Sequence, residues 1–128
     1  MAKFSQRSLE RLSGCHPDLQ RLFIEVIRIT DCSVLCGHRN EADQNAAFEQ
    51  GLSKLQFPLS KHNSLPSLAV DAVPYPVNWN DTEAFQRFAA VVLATAKRLN
   101  IPIRWGGDWN QNGSSADERF LDMPHFEL

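Results

Sequence analysis

The run Leu68-Ala69-Val70-Asp71-Ala72-Val73 sets an aspartate among apolar residues. Short, β-favouring and followed by prolines at 74 and 76, it reads as a strand from Leu68 to Val73 that Pro74 and Pro76 terminate. Alternation then turns Ala69, Asp71 and Val73 to one face and Val70 and Ala72 to the other. A carboxylate on a strand packed into a core costs free energy unless a partner meets it. The fold must therefore bring a partner to position 71. His62, in the polar stretch SKHNSLPS just before the strand, can fold back to it.

Around this strand the chain alternates helical and extended signals irregularly. From Pro17, the residues Leu19, Leu22, Phe23, Val26 and Ile27 recur at helical spacing with polar residues between them, predicting an amphipathic helix packed on a core. Cys32 to Cys36, ended by Gly37, reads as a strand. Asn40, followed by Asp43 and Gln44, reads as an N-cap, and Gly51 sits where that helix stops, giving a helix of about Glu41 to Gln50. Gly51 to Pro66 reads as a loop. Asn80 with Glu83 has capping-box character, and Phe85, Phe88, Val92, Ala96 and Leu99 line a long helix that Pro102 ends. Ile101 to Trp105 and His125 to Leu128 are strand candidates. No repeat, low-complexity tract or linker interrupts the 128 residues, so the expectation is one α+β domain over 1–128, with helices packed on a small antiparallel sheet.

Bulk properties exclude several function classes. A formal charge of -2, with Lys and Arg scattered, supplies no basic field for nucleic acid. No apolar run approaches the roughly 20 residues that span a bilayer, and MAKFSQRSLERLSG has no apolar core for a secretory signal, so a cytoplasmic protein is expected. Cys15, Cys32 and Cys36, an odd number at low density, read as thiols.

The chain has four histidines, His16, His38, His62 and His125. A catalytic zinc takes three protein ligands, commonly imidazoles and a carboxylate, and leaves a position for water. His62, Asp71 and His125 would make such a set. Asp122, three residues before His125, is then the candidate to take a proton from the water. On the residues alone a plainer account stays open, with a surface histidine and a strand-end aspartate. Cys32, Cys36 and His38, with Cys15-His16, also raise a structural zinc site. Buried apolar cysteines on one strand face are the better reading, because cysteine zinc sites have tighter paired spacing.

Three segments resemble one known superfamily in order. Ser60-Lys-His62 with Ala69-Val-Asp71, and Asp122-Met-Pro-His125, are similar to the paired zinc motifs of the VanY-like and D-alanyl-D-alanine carboxypeptidase superfamily. The resemblance is closest to phage endolysins with L-alanyl-D-glutamate peptidase activity. Gly37-His38-Arg39, with Gln44, Phe48 and Gly51 after it, and Arg104-Trp105-Gly106-Gly107-Asp108-Trp109 extend it over about residues 34 to 128. The chain departs from the pattern in two places. The His62–Asp71 gap is two residues longer than usual, with Ser67 where glycine is common. The proton-accepting position holds Asp rather than Glu, which favours the endolysin branch.

The resemblance implies a hedgehog/D-Ala-D-Ala-peptidase-like fold carrying Zn2+ on His62, Asp71 and His125, with Asp122 as base. It further implies Arg39 at the developing oxyanion, against a surface salt bridge on the residues alone, and Ser60 holding substrate or orienting the site, against a turn cap. Asp108 reads either as a carboxylate behind a ligand histidine or as a turn residue. Trp79, Trp105 and Trp109 read as cleft residues for a glycopeptide or as packing. The implied activity is hydrolysis of the peptidoglycan stem peptide between L-alanine and D-glutamate. The alternatives are a D,D- or L,D-carboxypeptidase and a non-catalytic zinc-binding interaction domain. A holin partner for access to the wall, a Gram-negative host and a monomeric state complete the expectation.

Overall fold

The computed structural model describes residues 2–108, 111 and 122–128. Two early helices, α1 (Gln6–Ser13) and α2 (Pro17–Ile29), lead into strand β1 (Cys32–Cys36), which is followed by α3 (Glu41–Glu49). A single 3-10 turn at Lys61–Asn63 precedes β2 (Ala69–Pro74). The long helix α4 (Thr82–Arg98) and the short strands β3 (Arg104–Trp105) and β4 (His125–Glu127) complete an α+β architecture. The strands form one antiparallel sheet in the order β1-β2-β4-β3. No helix among the described residues is long and apolar enough to cross a membrane.

The sheet has one face for the core and one for chemistry. Phe126 on β4 is fully buried and meets Phe23 of α2 and Phe88 of α4 edge-on, with ring centroids at 5.8 and 6.0 Å. Val70 and Ala72 of β2 join the same apolar cluster. Burial of aromatic and branched side chains at ~1.5–3 kcal/mol each is what holds α2 and α4 on the sheet. Alternation turns the neighbours of these residues, Asp71 on β2 and His125 and Glu127 on β4, to the opposite side.

Several elements differ from their sequence expectation. Helix α1, not expected from the sequence, buries Ser8 and Leu12, with Leu12 in the apolar core, and is anchored by polar bonds as well. Ser8 Oγ accepts from the Val34 N–H at 2.9 Å, and Arg11 Nη1 donates to the Val34 carbonyl at 3.1 Å. The cap of α4 is Asp81, whose side chain accepts from the Ala84 N–H, rather than Asn80. Its other end is set by Asn100 in the left-handed region (φ 59), with the Ile101 N–H returning to the Ala96 carbonyl at 2.8 Å. Strand β2 runs one residue further than expected, to Pro74.

The cysteines are free thiols. Burial pushes Cys15 and Cys32 up to about 12, helped by Cys36 and Asp71 at Cys15 and by Asp31 at Cys32. A register shift between Val34 and Cys36 takes Cys36 off the Cys32–Val34 face. Among the described residues none of the three joins a candidate metal-binding group. In the folded protein at pH 8, Cys15 and Cys32 should resist an alkylating reagent that modifies all three thiols in denaturant, with mass spectrometry locating the adducts. Modification of either at the rate of a free thiol would contradict their burial.

Candidate metal centre

Register alone brings two of the expected ligands together. Asp71 on β2 pairs directly with His125 on β4. His62 is delivered from the other side by the 3-10 turn, whose cap is Ser60. The Ser60 Oγ accepts from the His62 N–H at 3.2 Å, and the Asn63 side chain accepts from the Ser60 N–H at 3.0 Å. Ser60 thus acts on the site through the backbone of His62 while also lining the cleft.

Asp71 Oδ1 lies 3.2 Å from His62 Nε2 and 3.2 Å from His125 Nδ1. One ligand atom from each of the three residues falls within 4.8 Å of the others, a group able to hold a metal ion. Each imidazole is oriented by its second nitrogen. His62 Nδ1 is 2.7 Å from the Gly37 carbonyl oxygen, and His125 Nε2 is 2.9 Å from Glu127 Oε1. Gly37 must be glycine, because a Cβ there would collide with the Arg11 carbonyl oxygen and press on Cys15 Sγ.

Asp122 stands at the edge of this group without joining it. A turn closed by the His125 N–H on the Asp122 carbonyl at 3.0 Å brings the Asp122 carboxylate to 3.8 Å from His125 Nδ1. The Asp122 backbone lies so close to Gly106 that a Cβ at 106 would overlap its carbonyl, and the Asp122 N–H donates to the Gly106 oxygen at 2.9 Å. Burial, reinforced by the charge of Asp71, pushes the Asp122 carboxyl up to about 6 against the opposing pull of His125, His62 and Arg39. Burial also pushes the Asp71 carboxyl up but is outweighed there, since hydrogen bonds from His125 and His62 hold it well below the usual range. Two carboxylates a few ångströms apart are thus driven in opposite directions, the pattern of a fixed ligand beside a proton carrier.

Arg39 reaches the site from the loop after β1. Its guanidinium is 3.5 Å from Asp71 Oδ2 and donates to Gln44 Oε1 at 2.9 Å. Gln44, the one buried residue of α3, is fully enclosed and saturated. Its oxygen also accepts from Asn63 Nδ2 at 3.2 Å, and its amide nitrogen donates to Ser53 Oγ at 2.9 Å and the Leu55 carbonyl at 2.6 Å. Gln44 therefore ties Arg39, the turn carrying His62 and the loop after α3 to one point. Gln44→Ala should leave buried donors unpaired at about 2–3 kcal/mol in total, seen as a lowered unfolding midpoint, while metal content stays near wild type. An unchanged midpoint would show that water replaces the amide.

The remaining candidates divide. His16 caps α2, accepting from the Asp18 N–H at 3.0 Å, and His38 bonds the Ser64 carbonyl, so neither enters the metal group. Trp79 is exposed, stacked on Phe85 and lines the cleft. Trp105 is buried and donates to the Met123 carbonyl at 2.7 Å. Asp108 is buried, its N–H closing a turn on the Trp105 carbonyl. Trp109 lies outside the described residues. Sequence reasoning missed Glu127, whose place two residues after His125 on one strand is its only local signal.

These groups open onto a cleft of about 670 Å³. Its lining combines the apolar Leu35, Leu52, Leu55, Leu59 and Trp79 with the cations Arg39, Lys61 and Arg104 and the carboxylates Asp71, Asp122 and Glu127 that pair with or face them. An oriented His–Asp–His group beside a carboxylate raised toward neutrality, in a cleft of this size, is the equipment of a hydrolytic enzyme.

Known proteins give that enzyme its family. Residues 1–128 match the family model described as phage L-alanyl-D-glutamate peptidase. The chain is 31% identical to the L-alanyl-D-glutamate peptidase of Escherichia phage T5, over 98% of this chain and 97% of that protein. The crystal structure of Serratia marcescens L-Ala D-Glu endopeptidase ChiX matches with a TM-score of 0.76 and 32% identity, covering 99% of this chain and 90% of that one. The chain belongs to the phage L-alanyl-D-glutamate peptidase family, and it is a peptidase.

Proposed function

We propose that this protein is a zinc-dependent endolysin that cuts the peptidoglycan stem peptide between L-alanine and D-glutamate. The observation that carries the reading is the His62–Asp71–His125 group with Asp122 beside it, in a chain whose relatives are named for that bond. Two imidazole nitrogens and one carboxylate oxygen, with both histidines held through their second nitrogens, are the donor set of a catalytic zinc. Held by these three residues, zinc would supply Lewis acidity toward the scissile carbonyl and make water a nucleophile near neutral pH.

Everything else is work for the side chains. Asp122, raised to about 6, takes the proton of the attacking water and hands it to the leaving amine. Arg39, held by Gln44 beside Asp71, offers its guanidinium to the oxyanion. Ser60 fixes the turn that presents His62. The scissile pair is an apolar residue followed by an acidic one, and the cleft lining offers both apolar side chains, Trp79 among them, and the cations Arg39, Lys61 and Arg104.

The protein acts as one domain and one chain, stored in the host cytoplasm and admitted to the wall when a holin permeabilises the membrane. Purified peptidoglycan digested with the zinc-loaded protein tests the activity. Mass spectrometry should find new L-alanine carboxyl and D-glutamate amine termini. Release of terminal D-alanine alone would make the enzyme a carboxypeptidase, and no new termini would leave a zinc-binding interaction domain.

A further inference from the structure

We infer that Glu127 is a positioning residue for the metal centre, fixing the proton on His125 Nε2 and strengthening the imidazole as a ligand, with Arg104 and Lys61 holding the carboxylate in place. The inference rests on the metal reading proposed above and goes beyond the three ligands and Asp122.

The geometry follows from the strand. His125 and Glu127 are two residues apart on β4 and so project from one face. Glu127 is 6% exposed, and each of its oxygens has separate work. Oε1 lies 2.9 Å from His125 Nε2. Oε2 accepts from Arg104 Nη2 at 2.6 Å and lies 3.2 Å from Lys61 Nζ. Arg104 is the direct cross-strand partner of Glu127 on β3, and Lys61 belongs to the turn that carries His62 and also bonds the Leu128 carbonyl.

Two cations on one oxygen fix the orientation of the carboxylate and leave its other oxygen aimed at His125 Nε2. An anionic acceptor on Nε2 requires that nitrogen to carry its hydrogen, which leaves the lone pair on Nδ1, the nitrogen facing Asp71 and Asp122. A carboxylate behind a ligand imidazole also raises its basicity, and loss of such a group typically costs 10–100-fold in metal affinity. The competing account is purely structural, with Glu127 tying β3, β4 and the turn together by ion pairs.

The experiment is zinc affinity by chelator competition on the full chain. Glu127→Gln keeps the shape and removes the charge, and its zinc dissociation constant should rise about 10–100-fold. Glu25→Gln, which removes a carboxylate paired with Arg28 and Arg98 far from the centre, should leave it unchanged. The cobalt-substituted Glu127→Gln protein should also show a shifted visible spectrum, which a remote ion pair would not move. Should Glu127→Gln fold poorly, Arg104→Gln serves instead, since it leaves Glu127 in place but frees Oε2 from its shortest bond; several-fold weaker zinc binding is expected. Zinc affinity within twofold of wild type in the folded variant overturns the inference while leaving the metal reading intact. A wild-type chain that binds no zinc overturns both.

Discussion

Asp122→Asn is expected to lower peptidoglycan hydrolysis at least about a hundredfold while zinc content and the unfolding midpoint stay near wild type. Proton transfer by a positioned side chain contributes ~10²–10⁴-fold, and the amide keeps the shape of the carboxylate while losing its basicity. The structure explains why no neighbour should substitute. Asp71 is bonded to both histidines and Arg39, and Glu127 is bonded to His125, Arg104 and Lys61. Asp122 is the carboxylate of the cleft that burial and Asp71 raise toward neutrality. Steady-state rates on purified peptidoglycan, with elemental analysis of the same samples, decide it. Activity within a few-fold of wild type would mean that another group takes the proton, and loss of zinc would make Asp122 a ligand.

The second large effect is expected at the histidines themselves. His62→Ala and His125→Ala should each lose stoichiometric zinc and abolish lysis, because a site with three protein ligands keeps little affinity with two. Either change also removes one of the imidazoles bonded to Asp71 Oδ1, so a lowered unfolding midpoint should accompany the loss of metal. His16→Ala is the control. It deletes the cap of α2, at ~1 kcal/mol, and should leave zinc and activity in place. Full zinc retention in His125→Ala would remove that residue from the metal group.

Much of this was legible in the chain because it is written locally. The stripe of Leu19, Leu22, Phe23, Val26 and Ile27 specifies α2, and all five are buried. Asn40 caps α3 as its type and spacing predict. An aspartate in an apolar strand announced a partner, and His62 and His125 meet it. What stayed hidden depends on contacts between distant residues. Helix α1 is only eight residues long and is held by bonds to Val34 as well as by Leu12, so its own sequence is too short to repeat an apolar pattern. Asn80 and Asp81 are both good caps, and backbone direction rather than residue type chose between them. Trp105, read as a cleft aromatic or as packing, proves to be packing once its indole N–H finds the Met123 carbonyl. Gln44 and Glu127 look like ordinary polar residues until the chain closes around them.

The enclosed amide of Gln44 also bears on how the molecule comes apart. The sheet and α2 are held by apolar burial, whereas α3 buries no residue but Gln44, and that side chain holds the following loop through Ser53 and the Leu55 carbonyl. Stability in a protein is not uniform, and a segment with few buried apolar contacts opens at a lower free energy than the core. The loop after α3, which brings Leu52, Leu55 and Leu59 to the cleft and is held by Gln44 and by the Phe57 N–H on Asn45 Oδ1, should therefore open at a lower free energy than the sheet that carries His125 and Asp71. Such an opening would widen the cleft while the sheet stays folded, at the cost of a few hydrogen bonds that re-form on closing.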